Sequence, residues 1–227
     1  MDKITIRPIA YIKTDFPEKF GIPRQSGLIP ELKARIVFVK EYRDPNAIRE
    51  IDKYSHLWLI WGFSENKKTD GWEPTVRPPR LGGNTRVGVF ASRSPYRPNP
   101  LGLTVVKIEG VEQTRDEGTV LIVSGADMLD GTPIYDIKPY LAYVDSIPEA
   151  SNGFAAASKE GFLEVAFTAG IDARLTADEK AVLEKVLAQD PRPQYQEDPD
   201  RVYKMSFKTY NIEFTVERGK LTVTDIK

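Results

Sequence analysis

Between residues 82 and 102 the chain sets arginines among prolines: Gly82-Gly83-Asn84-Thr85-Arg86-Val87-Gly88-Val89-Phe90-Ala91-Ser92-Arg93-Ser94-Pro95-Tyr96-Arg97-Pro98-Asn99-Pro100-Leu101-Gly102. Each proline fixes a backbone angle and withdraws an amide donor, so a loop this rich in them is stiff before anything binds. A short alternating strand over residues 85–91 delivers the loop, and an apolar run over 103–108 follows at once. Arg93 and Arg97 are thus held ready for a partner, which lowers the ordering cost of binding. Charge follows the same division. Residues 74–108 carry Arg77, Arg80, Arg86, Arg93, Arg97 and Lys107 with no acid, a local balance of +6. Residues 109–150 carry nine acids against Arg115 and Lys138, a balance of −7.

At 227 residues and 41% hydrophobic content, the chain is long enough to bury a full core and to form a main domain with an appendage. A net charge of −1 and a pI near 6.0 exclude a polybasic binder, so any nucleic-acid contact is local. With no cysteine there are no thiol nucleophiles, disulfides or thiolate zinc sites, and a single histidine nearly removes histidine-rich metal sites. Met1-Asp2-Lys3 leads straight into a strand-like run without a signal-peptide core, and no apolar stretch approaches membrane-spanning length. The expected compartment is the cytoplasm, with no membrane partner.

Periodicity predicts a mainly β chain with some α, of the α+β class. Residues 4–13 alternate as a first strand with an irregularity at Pro8. Residues 16–30 lose all periodicity and form a loop with Pro23-Arg24-Gln25 at its polar apex. A strand over 34–40 follows, then a short helix started by Asp44-Pro45 with Ala47, Ile48 and Ile51 on one face. Residues 55–63 are apolar almost throughout and read as a core strand buried on both faces. His56, at its mouth, reads as a packed structural residue. A charged loop over 64–70 leads into a second proline-arginine segment over 71–80. Strands over 103–111 and 120–124 are joined by the turn Asp116-Glu117-Gly118. The turn Asp127-Met128-Leu129-Asp130-Gly131-Thr132-Pro133 collects two carboxylates and a hydroxyl without a nearby basic residue. A Ser/Ala/Gly/Asn-rich linker is expected over 147–161, separating a domain over 1–146 from a small α+β domain over 162–227. In the second domain Thr176-Ala177-Asp178-Glu179 is a capping box, and Val182, Leu183, Val186 and Leu187 mark the buried helix face. Strands are expected over 163–168, 202–208, 211–217 and 221–226. A third proline-arginine motif, Asp190-Pro191-Arg192-Pro193-Gln194-Tyr195, lies between the helix and the last strands.

Three stiff arginine-bearing elements and an acidic turn suit a ligand that is anionic at one end and cationic at another. The arginine fork donates two parallel hydrogen bonds to phosphate or carboxylate, and tyrosine stacks on a base. The familiar nucleotide motifs, Gly-Lys-Ser/Thr at a phosphate loop and Gly-x-Gly-x-x-Gly after a strand, are absent. From the residues alone the expectation is a preformed arginine-rich pocket for a nucleotide or RNA.

The motifs Pro23-Arg24-Gln25, Ser55-His56-Leu57-Trp58, Arg77-Pro78-Pro79-Arg80-Leu81-Gly82-Gly83, Gly88-Val89-Phe90-Ala91-Ser92-Arg93-Ser94-Pro95, Arg97-Pro98-Asn99-Pro100-Leu101-Gly102, Asp130-Gly131-Thr132-Pro133, Asp136-Ile137-Lys138-Pro139-Tyr140 and Asp190-Pro191-Arg192-Pro193 with Tyr195 together resemble the TsaA-like family of TrmO tRNA methyltransferases. The resemblance covers nearly the whole chain. It implies a β-barrel first domain, a homodimer, and S-adenosyl-L-methionine as cofactor. The implied reaction methylates the exocyclic N6 of threonylcarbamoyladenosine at tRNA position 37, beside the anticodon. The family's cofactor site falls on Pro23, Arg24, Gln25, Ser64, Glu65, Arg93, Leu103, Leu129, Asp130, Gly131 and Thr132. Its tRNA-facing element falls on Arg192 and Tyr195, to which Arg97 is added as an RNA contact. Ser64-Glu65 stands where many relatives have His-Gln. No metal site and no catalytic base are implied.

Two other readings stand beside the enzyme. One is a non-catalytic RNA- or nucleotide-binding module on the same fold. The other has the arginines of residues 74–108 simply pairing with the acidic stretch that follows.

Overall fold

A computed structural model describes residues 4–66, 72–78, 85–158, 162–192 and 198–227. Arg80 and the opening Gly82-Gly83-Asn84 of the proline-arginine run lie outside the described residues. The fold is mainly β with few helices. Its first sheet contains β1 (Ala10–Lys13), β2 (Lys33–Phe38), β3 (His56–Gly62), β6 (Leu101–Thr114), β7 (Gly118–Ser124) and β8 (Pro133–Pro139). Between β3 and β6 a two-stranded ribbon pairs β4 (Thr75–Val76) with β5 (Val87–Gly88).

All the pairings of the first sheet are antiparallel, in the order β1, β2, β7, β6, β3, β8. The ladder then returns to its start, with Ala10 opposite Ile134 and Tyr11 opposite Pro133. Every strand of this sheet therefore has two hydrogen-bonded neighbours, and no long edge is left to recruit another chain. Alternate residues point inward: Ala10, Ile12, Ile36, Leu57, Leu59, Val106, Leu121, Val123 and Ile134 are buried together. Burial of each large aliphatic side chain contributes about 1.5–3 kcal/mol.

Several local expectations are corrected. The first strand begins only at Ala10, after Pro8, since proline cannot donate to a ladder. β3 is not buried on both faces; Leu57, Leu59 and Trp61 are buried while His56, Trp58 and Ile60 are half-buried, the alternation of a sheet with one face inward. The short helix after Asp44 is a 3-10 turn, Pro45–Ile48, with Asp44 Oδ1 accepting from the Asn46 amide at 2.9 Å. The strand expected over 85–91 shrinks to β5 and passes into a 3-10 turn, Val89–Ala91. β8 and a short helix α1 (Ala142–Asp145) were not anticipated. His56 is half-buried: Ser55 Oγ lies 2.9 Å from its Nδ1, and its ring meets the edge of Tyr140 at 6.1 Å.

The second sheet runs β10 (Tyr203–Phe207), β11 (Tyr210–Glu217), β12 (Lys220–Ile226) and β9 (Glu164–Phe167), the last parallel to β12. Helix α2 (Ala177–Ala188) lays Leu183, Val186 and Leu187 on it. The capping box forms as expected, Thr176 Oγ1 accepting from the Glu179 amide and Glu179 accepting from the Thr176 amide.

The core of this second unit also takes in Phe16, Ile29 and Leu32, which belong to the loop between β1 and β2. Phe16 meets the edge of Phe207 at 5.8 Å, and Phe20 stacks near Phe214 at 6.3 Å. Backbone contacts fasten the same loop, with the Lys208 amide donating to the Asp15 carbonyl at 2.7 Å and the Ser206 amide to Glu18 Oε1 at 2.6 Å. Gly21 makes the close approach possible. Its φ is +96°, and a Cβ there would stand 2.1 Å from Met205 Sδ. The loop that carries Pro23-Arg24-Gln25 is thus a hook from the first unit into the second.

Candidate cofactor and RNA site

The apex of that hook turns back to the first sheet at a crossing of two glycines. The Gly27 amide donates to the Gly125 carbonyl at 2.9 Å, and both residues have positive φ, +74° and +78°. A Cβ on Gly125 would meet Gly27 Cα at 3.1 Å, so the residue just after β7 can carry no side chain without displacing the loop. This crossing brings Pro23-Arg24-Gln25 over the segment that follows β7, where the acidic turn begins.

At the apex, consecutive residues reach in different directions. Gln25 Oε1 accepts a hydrogen bond from Arg93 Nη1, which joins the hook to the proline-arginine loop. Arg24 Nη2 donates to the carbonyls of Asp190 at 2.7 Å and Arg192 at 3.3 Å. Arg192 is itself held by Asp190 through two parallel bonds of 2.8 Å, from Nε to Oδ1 and from Nη2 to Oδ2. Its guanidinium carbon lies 6.0 Å from the Tyr203 ring centroid. Pro23 is buried, Arg24 half-buried and Gln25 exposed.

The turn Leu129-Asp130-Gly131-Thr132 is fastened to the end of β1. Thr14 donates its amide to Asp130 Oδ1 at 2.9 Å, the Asp130 amide donates to the Phe16 carbonyl, and the Gly131 amide to the Ile12 carbonyl, both at 2.8 Å. Thr132, buried, donates its hydroxyl to the Leu129 carbonyl. Asp130 is exposed. Leu103 lies on β6 with its side chain 56% exposed, so the following residue, Thr104, faces inward. Glu65 accepts at its carbonyl from Lys19 Nζ, which also reaches Asn66 Oδ1 at 3.0 Å; Ser64 and Glu65 are exposed. Arg97 is half-buried, and its amide donates to the Pro95 carbonyl at 2.9 Å. Tyr195 lies outside the described residues.

Among the described residues, Arg77, Arg86, Arg93 and Arg97 form no ion pair with the acidic stretch over 109–150; only Lys107 does, to Glu109 at 2.9 Å. Arg86 donates to Thr75 Oγ1 at 2.9 Å instead, across the small ribbon. Direct ion pairing with the acidic stretch therefore does not account for these four arginines among the described residues.

Trp61, Thr104 and Asp127, which sequence reasoning did not assign to the site, form a hydrogen-bonded chain next to Leu103 and the acidic turn. Trp61 Nε1 donates to Thr104 Oγ1 at 3.0 Å, and Thr104 Oγ1 donates to Asp127 Oδ1 at 2.9 Å. Burial pushes the Asp127 carboxyl above the usual carboxylate range, while the Thr104 hydroxyl, its own backbone amide and the charge of Arg93 pull it the other way. The sequence held one signal for it: Asp127 opens a turn whose carboxylates have no basic neighbour along the chain. Thr104, the one hydroxyl in the apolar run over 103–108, gave none.

The family model of the tRNA-methyltransferase O N-terminal domain matches residues 11–146, and that of the TrmO C-terminal domain matches residues 160–227. The tRNA (adenine(37)-N6)-methyltransferase of Escherichia coli is 38% identical over 224 residues, covering 95% of this chain and 94% of the relative. A putative S-adenosylmethionine-dependent methyltransferase of Pseudomonas aeruginosa, RcsF, is 41% identical over 227 residues, covering 96% of this chain and 94% of that one. The crystal structure of TrmO from Pseudomonas aeruginosa superposes with a TM-score of 0.78 at 30% identity, covering 100% of both chains.

Proposed function

The chain belongs to the TrmO family of tRNA methyltransferases, and we propose that the adenosine it methylates carries a threonylcarbamoyl group. It is an S-adenosylmethionine-dependent tRNA (adenine-N6)-methyltransferase acting at position 37. Relatives named as methyltransferases over most of this chain's length do not favour the non-catalytic module.

The donor set fits S-adenosyl-L-methionine. Its amino-acid end carries a carboxylate and an ammonium, and the loop cluster offers Arg93 for the first and exposed Asp130 for the second. When bound, the cofactor supplies a methyl group already activated on a sulfonium. Pro23, Arg24 and Gln25 would flank it from the hook, Leu103 from β6 through its backbone, Leu129, Asp130, Gly131 and Thr132 from the turn, and Ser64 and Glu65 from the loop after β3. Arg192 and Tyr195, with Arg97, would face the anticodon loop, where arginine suits phosphate and tyrosine a base.

One observation carries this reading. Arg24 and Gln25, adjacent in sequence, tie the third proline-arginine motif to one side of the apex and Arg93 to the other. Residues proposed for cofactor and for RNA are thereby set on one stiff element, and positioning of this kind contributes about 7–11 kcal/mol to transfer in favourable model systems. No side chain is assigned as a general base.

The finer architecture belongs to the same proposal. A β-barrel first domain over 1–146, a linker over 147–161 and a second domain over 162–227 are supported by the cyclic strand pairing and by the limits of the two family models. A homodimer is supported by the exposed aromatic pair Trp72 and Phe90, whose rings lie 5.9 Å apart. Action in the cytoplasm follows from a tRNA substrate; among the described residues no helix is long and apolar enough to cross a membrane. The test is incubation with labelled cofactor and tRNA with or without the threonylcarbamoyl group. Label confined to the modified tRNA is expected, and equal labelling of both overturns the proposed substrate.

A further inference from the structure

The relay from Trp61 through Thr104 to Asp127 has a fixed direction. Indole N–H only donates, so the Thr104 hydroxyl accepts from Trp61 and must spend its one proton onward, on Asp127. That donor meets a half-buried acid, and burying a carboxylate even in part costs free energy that a neutral acceptor would not incur. The fold alone gives no reason for the charge. Arg93, the cation whose Nη1 holds Gln25, is near enough for its charge to act on this carboxylate.

We propose that Asp127 is a positioning residue of the cofactor site: held by Thr104 two residues after the Gly27–Gly125 crossing, it acts through Arg93 and so sets where Arg93 and its partner Gln25 stand to receive the amino-acid end of S-adenosylmethionine. Three connections support this. The glycine crossing of Gly27 and Gly125 places the hook directly over the segment leading to Asp127. The Thr104 hydroxyl orients the carboxylate from β6, the strand that carries Leu103. The turn with Asp130 follows three residues later. Asp127 thus follows the glycine crossing by two residues, is held by β6 through Thr104, and precedes Asp130 of the acidic turn. The inference rests on the cofactor reading and deepens it.

The test uses the full chain with Asp127→Asn, Thr104→Val, Arg93→Ala and the Asp127→Asn/Arg93→Ala double variant. Cofactor binding is read by calorimetry, turnover by steady-state kinetics with tRNA, and folding by thermal melting. Asp127→Asn is expected to raise the cofactor Kd and KM about tenfold to a hundredfold, the usual worth of hydrogen bonds to a charged group. kcat at saturating cofactor changes far less than KM, and the melting temperature stays at or above that of the wild type, because a burial-penalised charge has been removed. Thr104→Val gives a smaller shift in the same direction. The double variant binds no more weakly than Arg93→Ala alone, since Asp127 acts through that residue.

Additive losses in the double variant overturn the proposal. So does wild-type affinity in Asp127→Asn, or a loss of affinity matched by a fall in melting temperature, the mark of a packing role. Failure of the wild-type chain itself to bind S-adenosylmethionine would overturn the cofactor reading, a different result seen before any variant is compared.

Discussion

Arg24 Nη2 lies 2.7 Å from the Asp190 carbonyl oxygen, and these residues are 166 positions apart in sequence. A guanidinium on a main-chain oxygen is a charge-assisted contact, stronger than one between neutral groups. It fastens the hook's apex to the segment that carries Arg192. Arg24→Ala is expected to destabilise the chain by about 1–3 kcal/mol, lowering the melting temperature by several degrees. Thermal denaturation followed by circular dichroism checks this, and an unchanged melting temperature would show that the contact is dispensable.

Arg93 reaches across to Gln25 while bearing the charge proposed for the cofactor's carboxylate. Arg93→Ala is expected to weaken S-adenosylmethionine binding about tenfold to a hundredfold, and Gln25→Ala by less, because the arginine charge survives the second change. Calorimetric titration of each variant gives the comparison. Equal losses would place the glutamine in direct contact instead.

Glu179 gives a pH dependence with a definite sign. The Thr176 amide, then the Thr176 hydroxyl and Lys208, hold its carboxyl at about 2 against an ordinary 4.5. A depressed folded pKa means that its contribution is whole above pH 4.5 and is lost as pH falls towards 2. Acid unfolding of α2 is expected to track that window. In Glu179→Gln the acid limb of the stability curve flattens and stability at neutral pH is lower, as measured by urea denaturation across pH.

Gly21 is a site where one methyl group matters. Gly21→Ala forces both a left-handed backbone and an overlap with Met205 Sδ, so a loss of at least about 1 kcal/mol is expected, or about 2–4 °C in melting temperature for a chain of this size. Differential scanning calorimetry measures it. A neutral outcome would mean that Met205 swings aside at no cost.

What could be read in advance depended on the range of the interaction. The capping box at Thr176 and Glu179, and the β6–β7 turn at Gly118, are local and were legible in the residues. β8 was missed because Pro133 and Pro139 bound it and Asp136 and Lys138 interrupt its apolar run; the prolines sit at its two ends, where a missing donor is tolerated. The hook was read as a plain polar loop. Phe16, Phe20 and Ile29 have no periodicity within it, and their partners Phe207 and Phe214 come almost two hundred residues later. Arg93 and Pro23-Arg24-Gln25 stood out as stiff polar apices, while Asp127 depends on a loop crossing that no nearby residue announces.

The hook has a consequence for how the chain melts. A segment whose flanks are buried in one hydrophobic core and whose tip rests on another sheet cannot be released piecemeal, so the two halves are expected to come apart in a single cooperative transition. Severing the chain after the first half would leave Phe16, Phe20, Ile29 and Leu32 bare to water, an invitation to aggregate. By the same coupling, a small molecule gripping the apex would raise the heat resistance of strands it never touches.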